Sequence, residues 1–328
     1  MAASSPSSEK ADVLVFGPPK PIVTKGLSEG FVLHQFENQR DLGRIAATMS
    51  ERIRGIAVTD LVRVDQAMLS KFPKLEIISS FGVGYDHIDF NYARDHKIVV
   101  THTPDVLTEE TADAALGLLI CTVREFVKAD RYLRTGLWAN QAYPLTAGSM
   151  RDRTVGLVGM GRIGRAIARR LDAMKIPVVY HARRPAENVL YRHYPKLLDM
   201  AKAVDTLVVM TPGGAATSKM VNAEVIGALG PNGVIVNMSR GSVIDEDALI
   251  AALKKGDILA AGLDVFANEP IVPDELRAMQ NVVLLPHIGS ASVLTRGAMD
   301  QLVVENLKDW FAGKVPPTPI PETPVKGR

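Results

Sequence analysis

The sequence predicts an α/β protein of two parallel-sheet domains with the active site in the cleft between them. Three observations predict it. Short apolar, β-branched runs alternate with helical stretches along most of the chain, the pattern of parallel strands joined by helical crossovers. The chain has 328 residues, more than one ordinary core holds. A glycine-rich turn stands near the middle of the chain, and a complete strand–helix unit precedes it.

Composition narrows the class. Apolar residues make up 47% and charged residues 23%, as in a soluble globular protein. A net charge of +2 gives no case for a nucleic-acid or membrane partner. Cys121 stands alone, so no disulfide can form within the chain. It lies in the apolar run Ala114–Val123 and reads as a core thiol rather than a nucleophile; the run is too short to span a bilayer. Met1–Lys10 is Ser-rich and lacks the apolar stretch of a secretory signal, so a cytoplasmic protein is expected.

Residues before about Ala11 read as a disordered tail. Asp12–Phe16, Ile56–Val58, Ile77–Ser79 and Ile98–Thr101 read as buried strands. Leu42–Ile53 and Gln66–Phe72 read as helices, the second stopped by Pro73. Between Ser80 and Asp86, Gly82 and Gly84 leave backbone amides accessible. A small carboxylate can dock on the Val83 and Gly84 amides, or the segment is an ordinary connecting turn; the residues alone leave both open. Leu107–Arg134 reads as one long helix with Thr108 as N-cap and Glu109 and Glu110 in its first turn, able to bridge two domains. Trp138 and Tyr143 fall in a loop, Gly136–Met150, and suggest an interface or lid as readily as local packing.

Thr154-Val-Gly-Leu-Val-Gly-Met-Gly-Arg-Ile-Gly164 is the chain's most specific stretch. A buried strand leads into Gly159, Gly161 and Gly164 at G-x-G-x-x-G spacing. The first glycine permits the turn, the second lets a pyrophosphate approach the backbone, and the third lets helix and strand pack closely. The helix Arg162–Met174 carries Ile163, Ala166, Ile167, Leu171 and Met174 on one stripe, and its free N–H groups face the phosphates. Pro177–Tyr180 supplies the next strand, completing a Rossmann-like unit. Further strands are expected at Thr206–Met210, Gly233–Asn237, Leu259–Leu263 and Val282–Leu285, about the six strands of a dinucleotide fold. Asp245 reads as a helix cap with Gly256 as its stop, and a last helix from about Val293 to Phe311 returns to the first domain. Lys314–Arg328 is Pro-rich and reads as extended, without a core face.

Selectivity for NAD normally uses an acid at the end of the second strand. Tyr180-His-Ala-Arg-Arg-Pro185 has none and carries Arg183 and Arg184 instead. A guanidinium binds a 2′-phosphate bidentately, so NADP(H) is expected over NAD(H). Arg240, Asp264, Glu269 and His287 each follow closely on a strand end, where open α/β sheets bind ligands. Their types suit reduction of a 2-keto acid. An imidazolium at His287 can polarise the carbonyl and give its oxygen a proton. Glu269, bonded to the other ring nitrogen, favours the charged form. Arg240 can hold the substrate carboxylate in a planar two-point contact, and Asp264 can accept from the nicotinamide carboxamide.

Together these residues resemble the D-isomer-specific 2-hydroxyacid dehydrogenase family, from about Val13 to Pro319. The resemblance is carried by Phe81–Asp86, Thr103–Thr108, Gly159–Gly164, Met238–Gly241, Gly262–Pro270 and Leu285–Gly289. The wording around Thr103–Thr108 and Pro286–Ser290, with the arginine pair, is most similar to the NADPH-dependent glyoxylate/hydroxypyruvate reductases, which include plant hydroxyphenylpyruvate reductase-like members. The resemblance implies Arg240, Glu269 and His287 as catalytic residues, with Val83, Gly84 and Arg240 on the substrate. For the cofactor it implies Thr108, Gly159, Gly161, Arg162, Ile163 and Gly164. It adds Arg183, Arg184, Thr211 and Pro212, and lastly Met238, Asp264, His287 and Gly289. It further implies a homodimer with the Trp138 loop near the neighbour's active site. The substrate-binding domain is expected over 11–101 and 290–319, and the dinucleotide-binding domain over 102–289. The loop Thr211–Thr217 departs from the family in its two glycines. The expected activity is NADPH-dependent reduction of glyoxylate, hydroxypyruvate or a similar small 2-keto acid to the D-2-hydroxy acid. The alternatives are an aryl 2-keto acid reductase and a non-enzymatic, dinucleotide-sensing corepressor-like dimer. No metal is expected.

Overall fold

The computed structural model describes residues 10–323 and 325, except 39, 46 and 61. It forms two compact units, one from the chain up to 107 with the chain from 293, the other Thr108–Ser292. The tail expected before Ala11 lies, through residue 9, outside the described residues.

The first unit holds a five-stranded sheet of β1 (Asp12–Phe16), β2 (Val32–Phe36), β3 (Ile53–Val58), β4 (Ile77–Ser80) and β5 (Val99–Thr101). All strands are parallel, in the order β2-β1-β3-β4-β5, the flavodoxin-like doubly wound order. β1, β3 and β4 are nearly all buried, so they read as apolar runs. β2 carries no such signal. It is the sheet edge, with Val32 37% exposed and polar His34 and Gln35 within it, and sequence patterning misses it. The helix expected over Leu42–Ile53 is shortened to one turn among the described residues. A 3₁₀ turn at Asp41–Arg44 and one helical turn at Ala47–Ser50 lead into Ile53, which opens β3 because the central position beside β1 buries it. The helix expected over Gln66–Phe72 spans only Gln66–Leu69, capped by the Asp65 carboxylate on the Met68 amide.

Helix Val293–Phe311 belongs to this unit. Val303, Val304 and Leu307 are fully buried, and the Ser79 hydroxyl donates to the Val303 carbonyl at 3.2 Å. The chain after it corrects the expectation of a segment without a core face. Ile320 is 0% exposed among Ile56, Ile78 and Val100, and its amide donates to the Val100 carbonyl at 2.9 Å. Proline spacing concealed one apolar residue anchored by strand-like pairing beside β5. Ile320→Ala is expected to cost about 2–5 kcal/mol, as a buried branched side chain usually does. A denaturant midpoint equal to that of the unsubstituted chain would contradict the burial.

The second unit holds seven parallel strands: β6 (Val155–Val158), β7 (Val178–His181), β8 (Arg192–Tyr194), β9 (Thr206–Val209), β10 (Val234–Asn237), β11 (Ala260–Leu263) and β12 (Val282–Leu284). Their order is β12-β11-β10-β9-β6-β7-β8. The direction of winding reverses between β6 and β9, which opens a crevice at their carboxyl ends. β8, a short and mostly polar edge strand, is the one the sequence did not show. Apolar cores lie on both faces of the sheet, one around Leu119, Ile167 and Leu171, the other around Met200, Ile226 and Leu249.

The long helix expected over Leu107–Arg134 is two helices, Thr108–Val123 and Phe126–Arg134. Glu125 takes φ +52° between them. No glycine or proline marks that break, so no stop signal stands there. The second helix has no buried residue, and Phe126, Leu133, Leu137 and Trp138 are all about half exposed or more. Cys121 is partly buried against the core, and desolvation pushes its thiol up, which suits the expected packing role. Asp245 occupies an N-cap position without capping: its carboxylate instead takes Lys219 at 3.2 Å. Gly256 ends that helix in the left-handed region at φ +76°. Among the described residues no helix is long and apolar enough to cross a membrane.

Candidate active site

The glycine turn after β6 has the geometry its spacing requires. Gly159 sits at φ +109°, and a Cβ there would come within 2.7 Å of the Met210 carbonyl oxygen. A Cβ on Gly164 would collide with the Gly159 carbonyl, so helix Arg162–Ala173 approaches its strand only because that position is bare. Gly161 is the N-cap, with no side-chain cap, and open space surrounds the position where its Cβ would stand. The first helical amides therefore face an uncovered cradle, the arrangement a pyrophosphate fits.

The remaining residues expected at the cofactor lie along the same carboxyl edge. Thr211 and Pro212 follow β9, Met238 follows β10, and Arg183 and Arg184 follow β7, exposed. Gly289, Met238 and Asp264 pack together: a Cβ on Gly289 would meet Met238 at 2.9 Å and the Asp264 carboxylate at 3.1 Å. Thr108 opens its helix, with Glu109 and Glu110 in the first turn. From β12 to β7 is five strand spacings, about 24 Å, so His287 and the arginine pair stand at opposite ends of this edge.

Asp264 organises the His287 turn. It is 2% exposed, one residue past β11. Its carbonyl takes the His287 amide at 2.9 Å, and its two carboxylate oxygens take the amides of Ile288 at 2.7 Å and Gly289 at 2.8 Å. Three successive amides thus converge on one residue. That holds His287 at φ +55°, a left-handed conformation that is strained for this side chain. Desolvation raises the Asp264 carboxyl while the two amide bonds oppose it.

His287 Nδ1 meets the Glu269 carboxylate at 2.7 Å, and the two side chains are 33% and 29% exposed. The other Glu269 oxygen accepts the Phe266 amide at 3.0 Å, which fixes the carboxylate plane. Burial pulls the Glu269 carboxyl up. The His287 hydrogen bond and charge, with the Phe266 amide and the Arg240 guanidinium, outweigh it and hold the carboxyl below its ordinary value. Arg240 is therefore within electrostatic reach of the pair. It follows β10 and donates from Nη1 to the Ser239 carbonyl at 2.8 Å.

Two residues of this constellation escaped the sequence. Asn237, 1% exposed, receives the Ser239 amide on its side-chain oxygen at 3.1 Å and donates to the Arg240 carbonyl at 3.0 Å, shaping the turn that presents the guanidinium. Gly241 lies against Phe266, where a Cβ would collide with the backbone. A polar residue ending an apolar strand, and a glycine beside the arginine, were the available signals. Val83 and Gly84 belong to the first unit. Their turn has Gly82 at φ +124°, its amide on the Thr103 hydroxyl at 2.9 Å, and His102 donating to the Val83 carbonyl at 2.9 Å. Tyr85 is tied to Glu322 at 3.0 Å; desolvation and that carboxylate push its hydroxyl up to about 12.

A model of the NAD-binding domain of D-isomer-specific 2-hydroxyacid dehydrogenases matches residues 116–289. The chain belongs to that family. It is 41% identical over 312 residues to a glyoxylate/hydroxypyruvate reductase of Arabidopsis thaliana, covering 95% of this chain and 99% of that protein. It is 39% identical over 312 residues to the hydroxyphenylpyruvate reductase of Plectranthus scutellarioides, with the same coverage. An NADPH-dependent glyoxylate/hydroxypyruvate reductase from Sinorhizobium meliloti, solved with NADP and malonate, superposes with a TM-score of 0.93. It is 49% identical, and the match covers 98% of this chain and 99% of that one. This D-2-hydroxyacid dehydrogenase is thus an NAD(P)-binding oxidoreductase that reduces 2-keto acids, and the non-enzymatic reading is set aside.

Proposed function

We propose that the enzyme reduces small 2-keto acids, glyoxylate and hydroxypyruvate first among them, to D-2-hydroxy acids with NADPH. The observation that carries the chemistry is the 2.7 Å His287–Glu269 pair within reach of the Arg240 charge. A bound nicotinamide dinucleotide supplies the hydride. His287 Nε2, the nitrogen not engaged by Glu269, gives the carbonyl oxygen its proton, and Glu269 stabilises the imidazolium before transfer. Arg240 pairs with the substrate carboxylate and orients the keto group. The Asp264 brace keeps the ring from turning away. Thr108, Met238 and Gly289 are assigned to the nicotinamide side, and the Gly159–Gly164 turn with Arg162 and Ile163 to the pyrophosphate. Thr211 and Pro212 are assigned to the adenosine side. The Val83 and Gly84 amides are assigned to a carboxylate because their turn is held open by Thr103 and His102.

The NADPH preference rests on Arg183 and Arg184, exposed beyond β7 and without an ion-pair partner among the described residues. The relative solved with NADP supports it. A homodimer is proposed from the uncovered apolar face around Phe126, Leu133 and Trp138. Oxidation of NADPH and of NADH, followed by absorbance across glyoxylate, hydroxypyruvate and 4-hydroxyphenylpyruvate, tests the reading. A higher kcat/KM with NADPH and with the two small acids is expected. Preference for NADH overturns the cofactor assignment, and preference for the aryl acid, the substrate named in the Plectranthus relative, overturns the substrate assignment.

A further inference from the structure

The turn that carries Arg183 and Arg184 is fastened at both ends. Before the pair, the Ala182 carbonyl accepts from His193 Nε2 at 2.9 Å. After it, the Ala186 amide donates to the Tyr180 hydroxyl at 2.9 Å. The two fastening side chains also touch: their ring centroids are 5.1 Å apart at 42°. Tyr180 is 2% exposed, rooted in the core on β7, and His193 is its register partner on β8. A buried phenol and an edge-strand histidine thus hold four successive peptide units of an otherwise exposed loop.

We propose that Tyr180 and His193 are positioning residues for the 2′-phosphate of the cofactor, acting through the backbone that presents Arg183 and Arg184. This rests on the NADPH reading above. Bidentate recognition of a phosphate by guanidinium demands a fixed plane and origin, and a long exposed side chain supplies neither unless its backbone is held. Holding the turn before binding removes ordering entropy from the binding step. The same device explains why β8 exists although it adds little apolar burial: it delivers the His193 donor to the Ala182 carbonyl. That carbonyl only accepts, so Nε2 carries the proton.

The test is the ratio of kcat/KM for NADPH to kcat/KM for NADH. Y180F keeps the ring and removes the acceptor; H193F keeps a ring and removes the donor. Each is expected to lower the ratio about two- to tenfold, the net worth of one hydrogen bond, through a raised KM for NADPH. H193Q, which restores an amide donor, is expected to recover most of the ratio. A ratio unchanged in both Y180F and H193F, or equal losses with both cofactors, overturns the proposal; the second result marks a merely structural role. Thermal midpoints of the variants identify any general loosening. R183A/R184A separates the two readings. If it leaves the ratio unchanged, the cofactor assignment itself falls. If it lowers the ratio while Y180F and H193F do not, the assignment stands and the positioning role falls.

Discussion

His287→Ala is expected to lower kcat for keto-acid reduction by about 10²–10⁴-fold, the usual contribution of a positioned general acid. The loss should fall on kcat rather than on cofactor binding, because the ring stands on the turn after β12, away from the glycine cradle after β6. The pH profile carries the sign. Reduction needs a proton on the ring, so the rate falls in base, where that proton is lost. Burial alone would raise the Glu269 carboxyl, but its hydrogen bond to His287 and the nearby charges hold it below its ordinary value. The carboxylate therefore persists into acid, and the acid limb of the profile should lie below the usual carboxylate range. Glu269→Gln removes the titrating carboxyl, so the acid limb should disappear from the profile. A profile unmoved by Glu269→Gln, or a His287→Ala enzyme of near-normal kcat, would refute the acid–base assignment.

Arg240→Ala is expected to reduce kcat/KM for the keto acid about 30- to 5,000-fold, the 2–5 kcal/mol typical of truncating one partner of a desolvated charge pair. Arg240→Lys should recover only part of it. An ammonium is a point charge without the planar fork, so attraction returns and orientation does not. The Asn237 side chain shapes this turn by holding the Ser239 amide and the Arg240 carbonyl rather than the guanidinium, so the variants should keep their fold. Melting curves check that, and steady-state kinetics with a keto acid and its neutral methyl ester separate the carboxylate contact from the rest. An ester that loses as much as the acid would exclude the proposed contact.

The parts of this fold legible beforehand were those whose physics is local. β1, β6, β9 and β10 are buried on both faces, so their sequences are apolar except at an end, where Asp12, Thr206 and Asn237 stand. Gly159, Gly161 and Gly164 stood out because each removes a specific clash or cover at a specific point. Arg240, Asp264, Glu269 and His287 stood out because charged or titratable groups within a few residues of an apolar strand end are conspicuous. The illegible parts were those where neighbours decide. β2 and β8 are strands only because an adjacent strand offers hydrogen bonds to a polar edge. Ile320 is core only because β5 accepts its backbone. Glu125 breaks a helix that its own propensity would continue.

The amino-acid sequence by itself determined that this is a doubly wound α/β dehydrogenase, where its glycine turn lies and which titratable side chains follow its strands. Those features depend on residue type and on spacings of a few positions, and such short-range constraints are written directly into the chain. What the tertiary structure decided is how each group is held: three amides of the His287 turn converging on Asp264, Phe266 orienting Glu269, and Asn237 shaping the turn at Arg240. Those are hydrogen bonds between strand ends and the turns beyond them, some spanning more than twenty residues. They exist only once the sheet has set its strands side by side.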